Sequence, residues 1–251
     1  MRVSVILGGR YRAVSARRAL RTLLCQSRMP DEIIIADDGG NAWARAIGPE
    51  PLEGVEIKYI AHRPRGGLMR NSSLAVNAAW PACTGDMIFI TWNDILVPYH
   101  GIEWSLAKQD GNHRTTVIVY ALDGQATDAL DDPGNHWLGT DFEQFAKLPG
   151  WEAWHGACPH PNRSAHGWLH TVMFTSNTRA GWLEFWKTPL SPESQFGLDE
   201  TGIFAKEQAR MPKGGVRRDL RPAGYAVYHQ WHLTSPAEDS AMRHIRGGRY
   251  A

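Results

Sequence analysis

The sequence predicts an α/β protein built on a doubly wound, mostly parallel sheet flanked by helices. Two short apolar runs, Val3–Leu7 and Glu32–Ala36 (Glu-Ile-Ile-Ile-Ala), have the length and β-branched content of buried strands. Between them, Ala13–Gln26 places Ala16, Leu20, Leu23 and Leu24 on one face at helical spacing. Strand, amphipathic helix, strand is a βαβ unit, whose crossover is right-handed and whose strands are parallel.

The elements continue in that alternation. Val55–Ile60 reads as a third strand, Leu68–Trp80 as a helix entered through Gly66-Gly67, and Asp86–Thr91 as a fourth strand. Arg17, Arg18 and Arg21 are expected off the apolar face of the first helix. The later chain is less regular. Thr115–Ala121 and His170–Thr175 are strand-like, and Tyr225–Tyr228 reads as a last short strand. Arg179–Lys187 and Asp199–Arg210 are helical. Residues 126–167 are rich in Pro, Gly, Asp, His and Trp without periodicity, the mark of long loops with short helices. The expected organisation is one domain over residues 1–251. Residues 1–98 form a regular half, 99–235 a loop-rich half, and 236–251 a basic tail.

Composition narrows the function. Lys plus Arg number 27 against 26 Asp plus Glu, so no basic excess marks a nucleic-acid binder. Three cysteines, Cys25, Cys83 and Cys158, are odd in number and far apart, which suits a reducing, cytoplasmic setting better than a disulfide framework. The apolar run at the N-terminus is too short for a signal peptide core or a membrane span, so no integral membrane segment is expected. Eleven tryptophans fill core or offer flat faces to sugar rings.

Ligands of open α/β sheets sit outside the carboxyl ends of the strands. The groups that follow Leu7, Ala36 and Thr91 therefore share one mouth. Asp37-Asp38-Gly39-Gly40 sets two carboxylates and two glycines there, suited to the base N–H and ribose hydroxyls of a nucleotide; the plainer reading is a solvated turn. Gly66-Gly67 and Arg70 offer backbone N–H groups and a guanidinium to phosphate, or simply begin a helix. Thr91-Trp92-Asn93-Asp94 offers hard oxygen ligands for Mg²⁺ or Mn²⁺, or a turn. Asp199-Glu200 and Glu207 are carboxylates for a general base, or ordinary helix-start acids. His229 and His232 are three apart after the last strand. The looser group His155, Cys158, His160, His166 and His170 matches no metal knuckle.

The order of these segments resembles the family-2 glycosyltransferases. Ser4–Leu7, then Leu23-Leu24-Cys25-Gln26, then Pro30-Asp31-Glu32-Ile33-Ile34-Ile35-Ala36-Asp37-Asp38-Gly39-Gly40 is similar to that family's opening. Gly66-Gly67 with Arg70-Asn71 resembles its G-G…A-R-N segment, and Gly85–Ile90 with Pro98 resembles the strand leading to its metal-binding D-x-D. The likeness runs over residues 3–98 and is patchy beyond Ile118.

The resemblance implies a GT-A fold, a nucleotide-diphosphate sugar donor and a divalent cation (Mn or Mg). Gly8, Asp37, Asp38, Arg70 and Trp92 would contact the donor; Asn93, Asp94 and His232 (or His229) would hold the ion; Asp199 or Glu200, with Glu207 as the alternative, would be the base. The acceptor is left open among glycan, protein, lipid and modified nucleic acid. Two departures stand out. Gly8-Gly9-Arg10-Tyr11 replaces the usual P-x-Y-N, and the D-x-D position reads Thr91-Trp92-Asn93, leaving Asp94 as its one acid. A non-catalytic nucleotide-sugar-binding module and a nucleotidyltransferase are the rival readings.

Overall fold

A computed structural model of the chain describes residues 1–9, 12–37, 54–62, 72–109, 114–122, 124–132, 134, 137–139, 174–186, 217–219 and 226–230. Among these described residues the larger sheet has seven strands in the order β3-β2-β1-β4-β8-β6-β9. These are β1 (Val3–Gly9), β2 (Glu32–Asp37), β3 (Glu56–Ala61), β4 (Met87–Trp92), β6 (Arg114–Thr116), β8 (Phe174–Thr178) and β9 (Arg217–Asp219). The four strands β3, β2, β1 and β4 run parallel, β8 is antiparallel to both β4 and β6, and β6 is parallel to β9. A smaller sheet has the order β5-β10-β7, from β5 (Ile95–Leu96), β7 (Ile118–Ala121) and β10 (Ala226–His229).

The core follows from the apolar runs. Val3–Leu7 and Ile33–Ala36 are buried because β1 and β2 lie inside the sheet and both their faces are covered. Helix α1 (Ala13–Leu23) buries Ala16, Ala19, Leu20 and Leu23. Helix α2 (Ser72–Ala79) packs on β1 and β2, with Ala75, Val76 and Ala79 buried. Helices α3 (Gly101–Ala107) and α4 (Gly124–Ala129) follow, and α5 (Arg179–Trp186) packs on β8 and β4, where the Trp182 indole donates to the Ile88 carbonyl at 2.8 Å.

Three differences from the sequence reading have physical causes. The run Thr115–Ala121 is two strands, not one: β6 joins the large sheet and β7 the small one, with Val117 buried between. Arg18 points inward, not to solvent. It is buried, with its Nε 3.0 Å from Asp131 Oδ1 and an NH group 3.1 Å from Gln230 Oε1. Trp92, Trp137 and Trp182 are buried core residues, so these three serve packing rather than offering open faces to sugar. The proposed helix 199–210 and the His155–His170 group lie outside the described residues.

Gln26 shows why the Leu-Leu-Cys-Gln segment ends the first helix. Its buried amide nitrogen donates to the carbonyls of Thr22 (2.9 Å), Val97 (3.1 Å) and Pro98 (2.9 Å). Its oxygen accepts from the Ile102 N–H at 3.1 Å. One side chain therefore joins the end of α1 to the stretch after β5 and the first turn of α3.

At the amino ends of the strands, Glu32 is fully buried. It accepts from Lys58 Nζ at 2.6 Å, from the Ser4 hydroxyl and from Thr84. Burial pushes its carboxyl up, and these hydrogen bonds more than reverse that, holding it down to about 2. Its contribution to stability is therefore complete above the ordinary value of 4.5 and is lost as pH falls from there toward 2. Glu32→Gln is expected to destabilise the protein by roughly 2–4 kcal/mol at neutral pH, because it removes the buried charge that Lys58, Ser4 and Thr84 hydrogen-bond and leaves Lys58 the more distant, exposed Glu56 at 3.5 Å. Urea unfolding of both proteins should show that difference shrinking below pH 4.5.

Candidate functional site

The site is set by strand register. Gly9 lies opposite Asp37 across β1 and β2, and Gly8 lies opposite Trp92 across β1 and β4. The Asn93 N–H donates to the Gly8 carbonyl at 2.8 Å, which carries the pairing one residue past β4. Gly8, Gly9, Asp37, Trp92, Asn93 and Asp94 thus meet at the carboxyl edge of three adjacent parallel strands.

Both glycines are demanded by close approach. A Cβ on Gly8 would strike the six-membered ring of Trp92, and one on Gly9 would strike the Asn93 side chain. Glycine at both positions leaves room for the bulky Trp92-Asn93 pair at the rim of β4. Asp37 is buried and accepts a hydrogen bond from the Tyr59 hydroxyl of β3, while its carbonyl accepts from His62 N–H at 2.8 Å.

Asp94 is the charged centre of the rim. Its side chain is 8% exposed, and its Oδ2 lies 2.9 Å from an Arg12 NH group and 3.6 Å from His229 Nε2. Its carbonyl accepts from Gln230 N–H at 2.8 Å. The small sheet explains the long reach. β10 pairs antiparallel with β5 and parallel with β7, so His229 stands opposite both Ile95 and Ala121. Gln230 continues inward, donating to the Ser15 carbonyl of α1 at 3.0 Å and accepting from Arg18. Asp94, His229, Gln230, Arg12 and Arg18 form one polar seam between β4, β10 and α1.

Arg12 enters that seam through an unusual backbone. It caps α1 with φ 57° and ψ 52°, the one left-handed non-glycine among the described residues. Such a conformation costs an L-residue on the order of 1 kcal/mol and persists where its surroundings fix it. Sequence reasoning missed Arg12 because nothing in Gly-Gly-Arg-Tyr-Arg says which arginine turns inward. Arg18 had a signal: it stands three residues after Ser15 and four before Thr22, the other buried polar residues of the inner face.

Among the described residues, the rim sets a guanidinium rather than further carboxylates beside Asp94. Among the described residues, no three His, Cys, Asp or Glu side chains gather closely enough to hold one. Thr91, Trp92 and Asn93 bring no charge, and the carboxylate of Asp94 faces a guanidinium. Affinity for Mg²⁺ or Mn²⁺ rises with ligand charge, and a second cation beside Arg12 would be repelled. Of the remaining expected site residues, Asp38, Arg70, Asp199, Glu200, Glu207 and His232 lie outside the described residues. Cys83 is buried, and burial pushes its thiol up to about 12. Among the described residues no helix is long and apolar enough to cross a membrane.

No family model matches the chain, and no curated protein matches its sequence. Solved structures do match its fold. Glucosyl-3-phosphoglycerate synthase from Mycobacterium tuberculosis, in complex with phosphoglyceric acid, has TM-score 0.54 and 14% identity over 98% of this chain and 77% of its own. A mannosyltransferase from Pyrobaculum calidifontis, in complex with GDP-Man and Mn²⁺, has TM-score 0.53 and 12% identity over 95% of this chain and 59% of its own. A further mycobacterial protein has TM-score 0.51 and 14% identity, over 98% of this chain and 75% of its own. The fold is accordingly of the GT-A type: a mostly parallel central sheet flanked by helices, as in these glycosyltransferases.

Gly8→Ala is expected to destabilise the protein by about 1–3 kcal/mol, since the new methyl group must displace the buried Trp92 ring. Thermal unfolding, with tryptophan fluorescence reporting a more exposed indole, checks this.

Proposed function

We propose that the chain is a glycosyltransferase of the family-2 kind, moving a sugar from a nucleotide-diphosphate donor to an acceptor hydroxyl with inversion. The observation that carries this reading is the convergence of Gly8, Gly9, Asp37 and Trp92-Asn93-Asp94 on the carboxyl edge of β2-β1-β4. Ligands of open α/β sheets bind at that edge. Glycosyltransferases among the structural neighbours support the reading.

In this reading Asp37, aimed by Tyr59, accepts from the nucleotide base or ribose, with Asp38 beside it. The bare backbone of Gly8 and Gly9 lets the donor approach the sheet, and Arg70 meets the diphosphate. A carboxylate, Asp199 or Glu200, removes the proton of the acceptor hydroxyl. That oxygen bonds to the anomeric carbon as the bond from carbon to the diphosphate oxygen breaks, and the leaving diphosphate keeps the electron pair. Cations fixed beside the leaving group stabilise the charge that grows on it.

Calorimetric titration with UDP, GDP and dTDP tests the donor site. One nucleotide is expected to bind, and Asp37→Asn is expected to weaken it about tenfold or more, the worth of a hydrogen bond to a charged group. Tyr59→Phe should have a smaller effect, because it removes only the hydroxyl that aims Asp37. Absence of binding by all three nucleotides to the folded chain would defeat the reading. Binding without sugar transfer to any of a panel of glycan, peptide and nucleic-acid acceptors would recast the chain as a nucleotide-sugar-binding module.

A further inference from the structure

Resting on the donor-site reading above, we infer that Arg12 takes the place of the divalent cation, so that the nucleoside diphosphate binds here without metal. Asp94 is the one acid left in Thr91-Trp92-Asn93-Asp94, and its carboxylate already has a permanent counter-charge in the Arg12 guanidinium at 2.9 Å. His229, brought by β10, stands 3.6 Å from the same oxygen. A guanidinium does not lose its proton at any working pH, so this charge is constant. A divalent ion added at that oxygen would have to displace it.

The position of Arg12 is enforced rather than incidental. Its left-handed backbone suits glycine better than any residue with a Cβ, yet the chain holds an arginine there, half-buried at the entry to α1. Its carbonyl accepts the first helical hydrogen bond, from Ala16 N–H at 2.9 Å. Asp94 is held in turn by the Gln230 N–H, and Gln230 by Arg18 and Ser15. The guanidinium is therefore fixed at Asp94, next in sequence to the Trp92-Asn93 pair that packs on Gly8 and Gly9, and its planar fork of donors matches phosphate oxygens. A pre-placed cation of this kind does for the diphosphate what a metal does, namely offset its negative charge, and needs no reorganisation on binding.

The test is calorimetric titration of the full chain with the nucleotide found to bind, once in Mn²⁺ and once in EDTA. Electron paramagnetic resonance of Mn²⁺ mixed with the protein alone runs beside it. The expected result is an affinity that changes by less than about threefold between the two buffers, with the free-ion spectrum unaltered. Arg12→Gln removes the charge and releases the Asp94 carboxylate. It should bind the nucleotide about tenfold more weakly in EDTA and recover on adding Mn²⁺, while Arg12→Lys should stay close to the parent. A tenfold or greater loss of binding in EDTA by the unmodified chain would overturn the inference and leave the donor site standing. Unchanged binding by folded Arg12→Gln in EDTA would overturn it as well. Binding in neither buffer would overturn the donor-site reading itself, and this inference with it.

Discussion

A carboxylate buried at the tip of the fourth strand must be neutralised, and much of the structure around the site follows from that need. An unpaired buried charge costs several kcal/mol, comparable to the whole stability of many domains. Asp94 is paired with Arg12 from the entry of α1, and His229 from the end of β10 stands 3.6 Å from the same oxygen. Both partners come from far away in sequence. Satisfying Asp94 therefore fixes how α1 begins, where the small sheet docks, and which groups ring the mouth. Arg18, Gln230 and Asp131 extend the same seam behind it.

The opposite end of the sheet carries a second buried carboxylate with the opposite consequence. Glu32 is surrounded by Lys58, Ser4 and Thr84, and its hydrogen bonds lie wholly within the elements that start β1 to β4. It anchors the amino ends and faces no ligand edge. Asp94 stands at the carboxyl ends, where parallel strands leave room for a ligand. Glu32 and Asp94 thus stand at opposite ends of the strands, one anchoring the amino ends and the other lining the edge at which the donor is proposed to bind.

Much of this was legible in the sequence. The runs Val3–Leu7, Glu32–Ala36 and Asp86–Thr91 announced the central parallel strands because both their faces are buried, which leaves their interiors almost wholly apolar, Ser4 being the exception. Arg179–Lys187 was legible as a helix to within a residue. The short strands were harder. Ile95–Leu96 has two residues, too few for any periodicity, and exists because β10 arrives to pair with it. The break at Val117 was hidden for the same reason, since both halves of Thr115–Ala121 are strand-like and only tertiary pairing sends them to different sheets. At the site, Gly8, Asp37, Trp92, Asn93 and Asp94 could be placed at one mouth from strand ends alone. Arg12 could not, because a left-handed arginine has no local signature and its reason lies in Asp94, more than eighty residues on.

A crystal structure of the chain with the nucleoside diphosphate that binds it, grown in Mn²⁺, tests the central claim most directly. The predicted result has the diphosphate lying over Gly8 and Gly9 beside the Arg12 guanidinium, the base or ribose against Asp37, and no ion on Asp94. A nucleotide bound away from the carboxyl edge of β2-β1-β4, or Mn²⁺ on Asp94 with Arg12 swung aside, would contradict it.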